Sequence, residues 1–194
     1  MLWQEEIHPY RIAATRRLAM SNAMLTLGAN PDDLLSTCIY ACVTPCGAII
    51  HVEGDGVVAF KDRESQLRMV KFDWLDNIPF YPARLLSQSN LDRFISDHGG
   101  DPNAKRLFAE RFGTRPGLPD FEQSQESYTL SEGIDGVTFR ISTQELDRLE
   151  YIAIFSDGVD QVEGEEWTQV VTDLLSFKNT EGEFFKRRMN AAGH

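Results

Sequence analysis

Between Ser36 and Trp74 the chain runs through four β-rich stretches separated only by short turns. "STCIYACVT" leads into Pro45-Cys46-Gly47, then come the two apolar runs of "AIIHVEGDGVVAFKD", split by Gly54-Asp55-Gly56, and then "QLRMVKFDW". β-branched and aromatic residues between turn formers read as strands. Strands that follow one another without a crossover helix pair antiparallel, because a parallel neighbour needs a dozen or more connecting residues. Gly54-Asp55-Gly56 reads here as a tight turn between two strands.

The flanks carry the helices. Pro9 to Leu27 has near-helical spacing of Ile12, Ala19 and Ala23, with Gly28 as C-cap. "EEWTQVVTDLLSF" and "GEFFKRRMNAA" read as two closing helices. Between them "ESYTLSEGIDGVTFRIS" suggests a hairpin turning at Gly133 to Gly136, "QELDRL" a short turn or helix, and "EYIAIF" the most apolar strand. Residues 75–125 hold most of the prolines and two short helical patterns, Leu91–Asp97 and Asn103–Phe112, and read as an irregular insertion. The order predicts an α+β fold, with residues 1–194 as a single domain. No glycine-rich phosphate loop follows a strand, which excludes the dinucleotide-binding and P-loop classes.

The net charge of −11 is unsuited to nucleic acid or anionic membrane surfaces, where Lys and Arg supply the affinity. No stretch approaches a membrane span and the N-terminus lacks an apolar leader, so the expected location is cytoplasmic. Cys38, Cys42 and Cys46 match no zinc spacing, and free cysteine prefers burial, so they are expected in the core. His8, His51, His98 and His194 form no paired ligand pattern, and no serine lies in a nucleophile elbow.

Two aspartates carry more information. Asp55 lies in Gly54-Asp55-Gly56 and Asp157 in Ser156-Asp157-Gly158, each directly after an apolar run. A neighbouring glycine allows close approach of backbone or ligand. Two such strand ends can bring two carboxylates to one end of a sheet, a donor type that suits Mg²⁺ or Mn²⁺. Asp-Gly is equally a common hairpin turn, and the residues alone leave both readings open.

"IAIFSDGVDQV" resembles the Ser-Asp-Gly motif of the metal-dependent protein phosphatases (PPM type, protein phosphatase 2C-like). "GAIIHVEGDGVVAF" is similar to that family's strand–Gly-Asp–strand element, and "LSTCIYACVT" to the Thr-containing strand before it. The three come in the family's order, over roughly residues 10 to 190, with 75–125 where the family carries its flap. The resemblance implies a four-layer α-β-β-α sandwich and a signalling hydrolase that removes phosphate from serine and threonine of a phosphoprotein substrate. It further implies two or three Mg²⁺ or Mn²⁺ ions that activate water, with Asp157 a ligand of the binuclear centre and Asp55 a ligand near a third, weaker metal.

The family's opening Glu-Asp and Asp-Gly-x-Gly ligand motifs and its closing aspartate pair have no counterpart in this chain. The phosphate-binding arginine has no identifiable position either. The expectation is therefore either a piece of a longer phosphatase or a catalytically impaired binding module of the same fold. A generic α+β binding domain whose Asp-Gly motifs are only turns is the third reading. Absent flanking strands would leave open sheet edges, which invite self-association.

Overall fold

The computed structural model describes residues 9–64, 66–113, 124–162 and 164–176. It is α+β, with two antiparallel sheets and five α-helices among these residues. Strands β1 (Cys38–Thr44), β2 (Gly47–Glu53) and β7 (Val137–Ser142) form a three-stranded sheet in the order β1-β2-β7. Strands β3 (Gly56–Asp62), β4 (Leu67–Trp74), β5 (Lys105–Gly113), β6 (Ser124–Thr129) and β8 (Leu149–Phe155) form a five-stranded sheet in the order β6-β5-β4-β3-β8. The helices are α1 (Pro9–Leu27), α2 (Gln88–Asp97), α3 (Leu130–Asp135), α4 (Thr143–Leu146) and α5 (Trp167–Leu175). As expected, α1 ends at Gly28, whose φ is +65°.

Side chains of both sheets meet in one core. Ile50 and Val52 of β2 pack with Val58 and Phe60 of β3 and with Val70 and Phe72 of β4. The alternate residues of the five-stranded sheet, Val57, Ala59 and Met69, are buried on its other face with Val171 and Leu175 of α5. A strand covered on both sides reads as a continuous apolar run, not an alternating one. That accounts for "GVVAF" in β3. On the outer face of the three-stranded sheet, the Arg16 guanidinium of α1 grips the Glu53 carboxylate with two hydrogen bonds, one of them 2.9 Å.

Several local expectations change. Gly54-Asp55-Gly56 is not a hairpin: β2 pairs with β1 and β7, whereas β3 pairs with β4 and β8, so the chain crosses there between sheets. Gly133 to Gly136 is no hairpin either. Thr129 and Glu132 form a capping box that starts α3, and α3 carries the chain from one sheet to the other. Asn103–Phe112 is largely strand β5, because Leu107 and Ala109 alternate into the core while their neighbours are only half-buried. The Leu91–Asp97 helix is present, as α2. Strand β8 lies at the sheet's edge. Its apolar run arises because Ile152 faces the inter-sheet core and Tyr151, Ala153 and Phe155 face the α5 side. Cys46 is exposed, while Cys38 and Cys42 are half-buried on β1. The last expected helix, "GEFFKRRMNAA", lies outside the described residues. Among the described residues no helix is long and apolar enough to cross a membrane.

Candidate functional site

The register of β3 on β8 determines where the two Asp-Gly motifs sit. Val57 pairs with Phe155, antiparallel. Asp55 lies two residues before Val57, and Asp157 two residues after Phe155. Antiparallel pairing therefore delivers both aspartates to the same end of the same two strands, although about a hundred residues separate them in sequence. Gly56 makes the approach possible. Its φ is +131°, and a Cβ there would lie 2.6 Å from the Phe155 carbonyl oxygen and 2.9 Å from Ile39 Cδ1. Gly54, with φ +105°, is as tightly placed: a Cβ would sit 2.7 Å from Thr37 Oγ1. The Trp74 indole N–H donates to the Gly54 carbonyl at 3.0 Å and holds the crossing from the core side.

Asp55 is only 7% exposed. The Thr37 hydroxyl donates to its Oδ1 and accepts from its backbone N–H at 3.4 Å. Among the described residues neither Asp55 nor Asp157 has an ion-pair partner. Burial pushes the Asp55 carboxyl above its usual range; the Thr37 hydrogen bond opposes this, and the Asp157 and Asp73 charges add to it. Burial likewise raises the Tyr81 phenol, helped by the charges of Asp55 and Asp157 and countered by Arg84. Asp157 opens the short helical turn Asp157–Asp160 and accepts a hydrogen bond from Gln161 Nε2 at 3.1 Å.

A cavity of about 390 Å³ opens beside this pair. Asp157 is on its wall, with the hydroxyl-bearing Ser36, Thr37, Tyr81 and Ser156. Asp55 touches the cavity through Thr37. The two predicted site residues are thus brought together, one on the wall and one buried behind it. Ser156 belongs to the Ser-Asp-Gly motif and Ser36 and Thr37 to the "LSTCIYACVT" stretch, but nothing in the sequence assigned any of them a role, and Tyr81 lies in no motif. Among the described residues no three His, Cys, Asp or Glu side chains gather into a metal-holding group.

A second polar group escaped the sequence reading. Glu53, just before the Gly54-Asp55 crossing, is buried under α1 between Arg16 and His51, whose Nε2 lies 3.9 Å from it. Burial alone would raise the Glu53 carboxyl, but its contacts with His51 and Arg16 hold it below the usual range. His51 Nδ1 in turn lies 2.8 Å from Thr138 Oγ1 of β7. The only signal in the sequence was the polar alternation of His51 and Glu53 in an apolar strand. No protein-family model, no curated protein and no solved structure matches this chain.

Proposed function

We propose that the chain is a metal-dependent phosphatase-type domain, related in architecture to the PPM phosphoprotein phosphatases, in which Asp157 and Asp55 are metal ligands. The observation that carries the reading is the meeting of the two Asp-Gly carboxylates at the paired ends of β3 and β8, with no cationic side chain paired with either among the described residues. A buried carboxylate such as Asp55, without a cationic partner among the described residues, is costly unless a cation joins it. The layering supports the same reading: α1 lies over the three-stranded sheet through Arg16–Glu53, and α5 over the five-stranded sheet, with the two sheets between.

Carboxylate and hydroxyl oxygens suit Mg²⁺ or Mn²⁺, so the donor type fits such an ion. When bound, the ion supplies Lewis-acid activation of water and positive charge for a phosphoryl group. The chain's own residues do the rest. Asp157 presents its carboxylate to the cavity, Thr37 fixes Asp55, and Tyr81, Ser36 and Ser156 offer donors to phosphate oxygens. The donor number fits one weakly held ion, since Mg²⁺ and Mn²⁺ prefer about six oxygens each. The lack of a third metal-ligating side chain among the described residues favours a second reading: on its own this chain is a catalytically impaired module of the same fold.

Titration of the metal-free chain with Mn²⁺, followed by calorimetry, tests the site. One weak site is expected, lost in both Asp157→Asn and Asp55→Asn. Undiminished Mn²⁺ binding in the two variants would overturn the assignment.

A further inference from the structure

Among the described residues no cationic side chain lines the cavity. Asp157 stands on its wall and Asp55 behind it, and a single divalent ion would bring these two carboxylates only to neutrality. A phosphate monoester carries a charge of about −1.5 to −2 at neutral pH. A neutral site in a chain of net charge −11 gives such a ligand no net attraction. A further cation beside the cavity is needed.

Arg84 is placed to supply it. It lies in the short helical turn Pro82–Leu86, which Tyr81 caps. Its backbone N–H donates to the Tyr81 carbonyl at 2.9 Å. In a tight turn of this kind, side chains three residues apart lie one above the other on the same side. Tyr81, three residues before Arg84, is on the cavity wall, and the buried Pro82 and Ala83 anchor the turn between them. The positive charge of Arg84 acts on the Tyr81 phenol, where it opposes the charges of Asp55 and Asp157. The guanidinium and the two carboxylates thus act on one and the same group of the wall.

The guanidinium is held in place without being neutralised. Its Cζ lies 5.0 Å from the centroid of the Phe94 ring, and that ring is fully buried. Among the described residues Arg84 has no ion pair, and its Nε is shut off from water without a hydrogen-bond partner. A half-buried cation without a counter-charge is costly, and an oxyanion offsets that cost. Packing against a ring face leaves the donors on the edge of the guanidinium plane available to such a ligand.

We propose that Arg84 is the phosphate-binding cation of the candidate site and that it selects a dianionic phosphate monoester over a monoanion. The inference rests on the metal reading, because without the ion the two carboxylates outweigh one guanidinium. Phe94 fixes the plane of the guanidinium, and its fork of N–H donors takes two phosphate oxygens at once. The divalent ion and Arg84 would then approach the phosphoryl group from two sides of the Tyr81 hydroxyl.

Calorimetry of the full chain at saturating Mn²⁺ is the test, with phenyl phosphate as ligand and its titration into Mn²⁺ alone subtracted. The wild type is expected to bind phenyl phosphate, and to bind phenyl sulfate, a monoanion of similar shape, at least about tenfold more weakly. Arg84→Met keeps the length of the side chain and its packing on Phe94. It should weaken phenyl phosphate binding at least about tenfold and leave Mn²⁺ affinity unchanged. Arg84→Lys, which keeps the charge and loses the fork, should fall between the two. A measurement on the wild type alone covers the case in which the methionine variant does not fold: phenyl phosphate with Mn²⁺ should slow the modification of Arg84 by phenylglyoxal and not that of Arg93, which pairs with Asp32. Unchanged phenyl phosphate affinity in a folded, Mn²⁺-binding Arg84→Met, absence of protection at Arg84, or equal affinity of the wild type for the sulfate ester overturns the proposal and leaves the metal reading standing. A wild type that binds no Mn²⁺ overturns both.

Discussion

Replacing Asp55 by asparagine should stabilise this protein at neutral pH in the absence of metal. The side chain is 7% exposed, and among the described residues it has no ion-pair partner. Burial is the main cause of its raised pKa, with Asp157 and Asp73 contributing. Asparagine keeps the shape and still accepts the Thr37 hydroxyl, but removes the buried charge. Relief of one uncompensated charge is of the order of 1 kcal/mol, allowing for the new amide N–H groups. For a chain of this size that corresponds to roughly 2–4 °C in melting temperature. The sign follows from proton binding. A carboxyl whose folded pKa lies above its unfolded value, about 3.9, binds more protons in the folded state across that interval. Wild-type stability therefore falls as pH rises through the window, and the full penalty persists above it. Thermal melts of both proteins in EDTA should coincide near pH 3.5 and diverge to a constant gap by neutral pH. Mn²⁺ should reverse the order, since a ligand at 100 times its dissociation constant adds about 2.7 kcal/mol to the protein that binds it. A variant that is less stable than wild type at pH 7 in EDTA, or a gap independent of pH, would refute the reasoning.

Gly56→Ala places a Cβ 2.6 Å from the Phe155 carbonyl at φ +131°, and should cost about 2 kcal/mol or more while weakening Mn²⁺ binding in calorimetry. Gly28→Ala is the matched control: its φ is also positive but its space is open, so the cost should stay near 1 kcal/mol with Mn²⁺ binding unaffected. Phe72→Ala, at a fully buried position between the sheets, should cost about 3–5 kcal/mol in denaturant unfolding. In any longer form of the protein that hydrolyses p-nitrophenyl phosphate with Mn²⁺, Asp157→Asn should lower the rate far more than the tenfold that corresponds to about 1.4 kcal/mol of barrier. A smaller loss would remove Asp157 from the metal ligands.

Much of the fold was legible because it is local. Turn formers between β-rich runs located β1 to β4, and the periodicity ending at Gly28 located α1. What failed was the assignment of strands to sheets. Gly54-Asp55-Gly56 and Gly133 to Gly136 have the composition of hairpin turns, but the chain uses both to pass between sheets. Composition reports that the backbone bends; only the partners on either side decide whether it folds back or crosses over. The capping box Thr129–Glu132 was the available signal at the second crossing. Strand β5 was mistaken for a helix because "AKRLFAERF" carries apolar residues at a spacing that either period accommodates.

The candidate site was legible in its carboxylates and not in its surroundings, and the reason is physical. Asp55 and Asp157 announce themselves through the glycines that their crowded strand ends require, Gly56 most directly, because the Phe155 carbonyl leaves no room for a side chain. Tyr81 lines the cavity only by where the fold puts it, and Thr37 and Ser156, although they lie in the motifs that carry the resemblance, have no local signal of the cavity they line. The same holds for Glu53. It is buried, yet Arg16 from the far end of the chain segment neutralises it, so β2 tolerates a charge that would otherwise be expelled. Two acidic residues, Glu53 and Asp55, thus stand two positions apart with opposite solutions. Glu53 is paired with its own cation and held ionised. Asp55 has no such partner among the described residues, and its ionised form is penalised. A fold that supplies an arginine to one and only a hydroxyl to the other leaves the second available to a cation from solution.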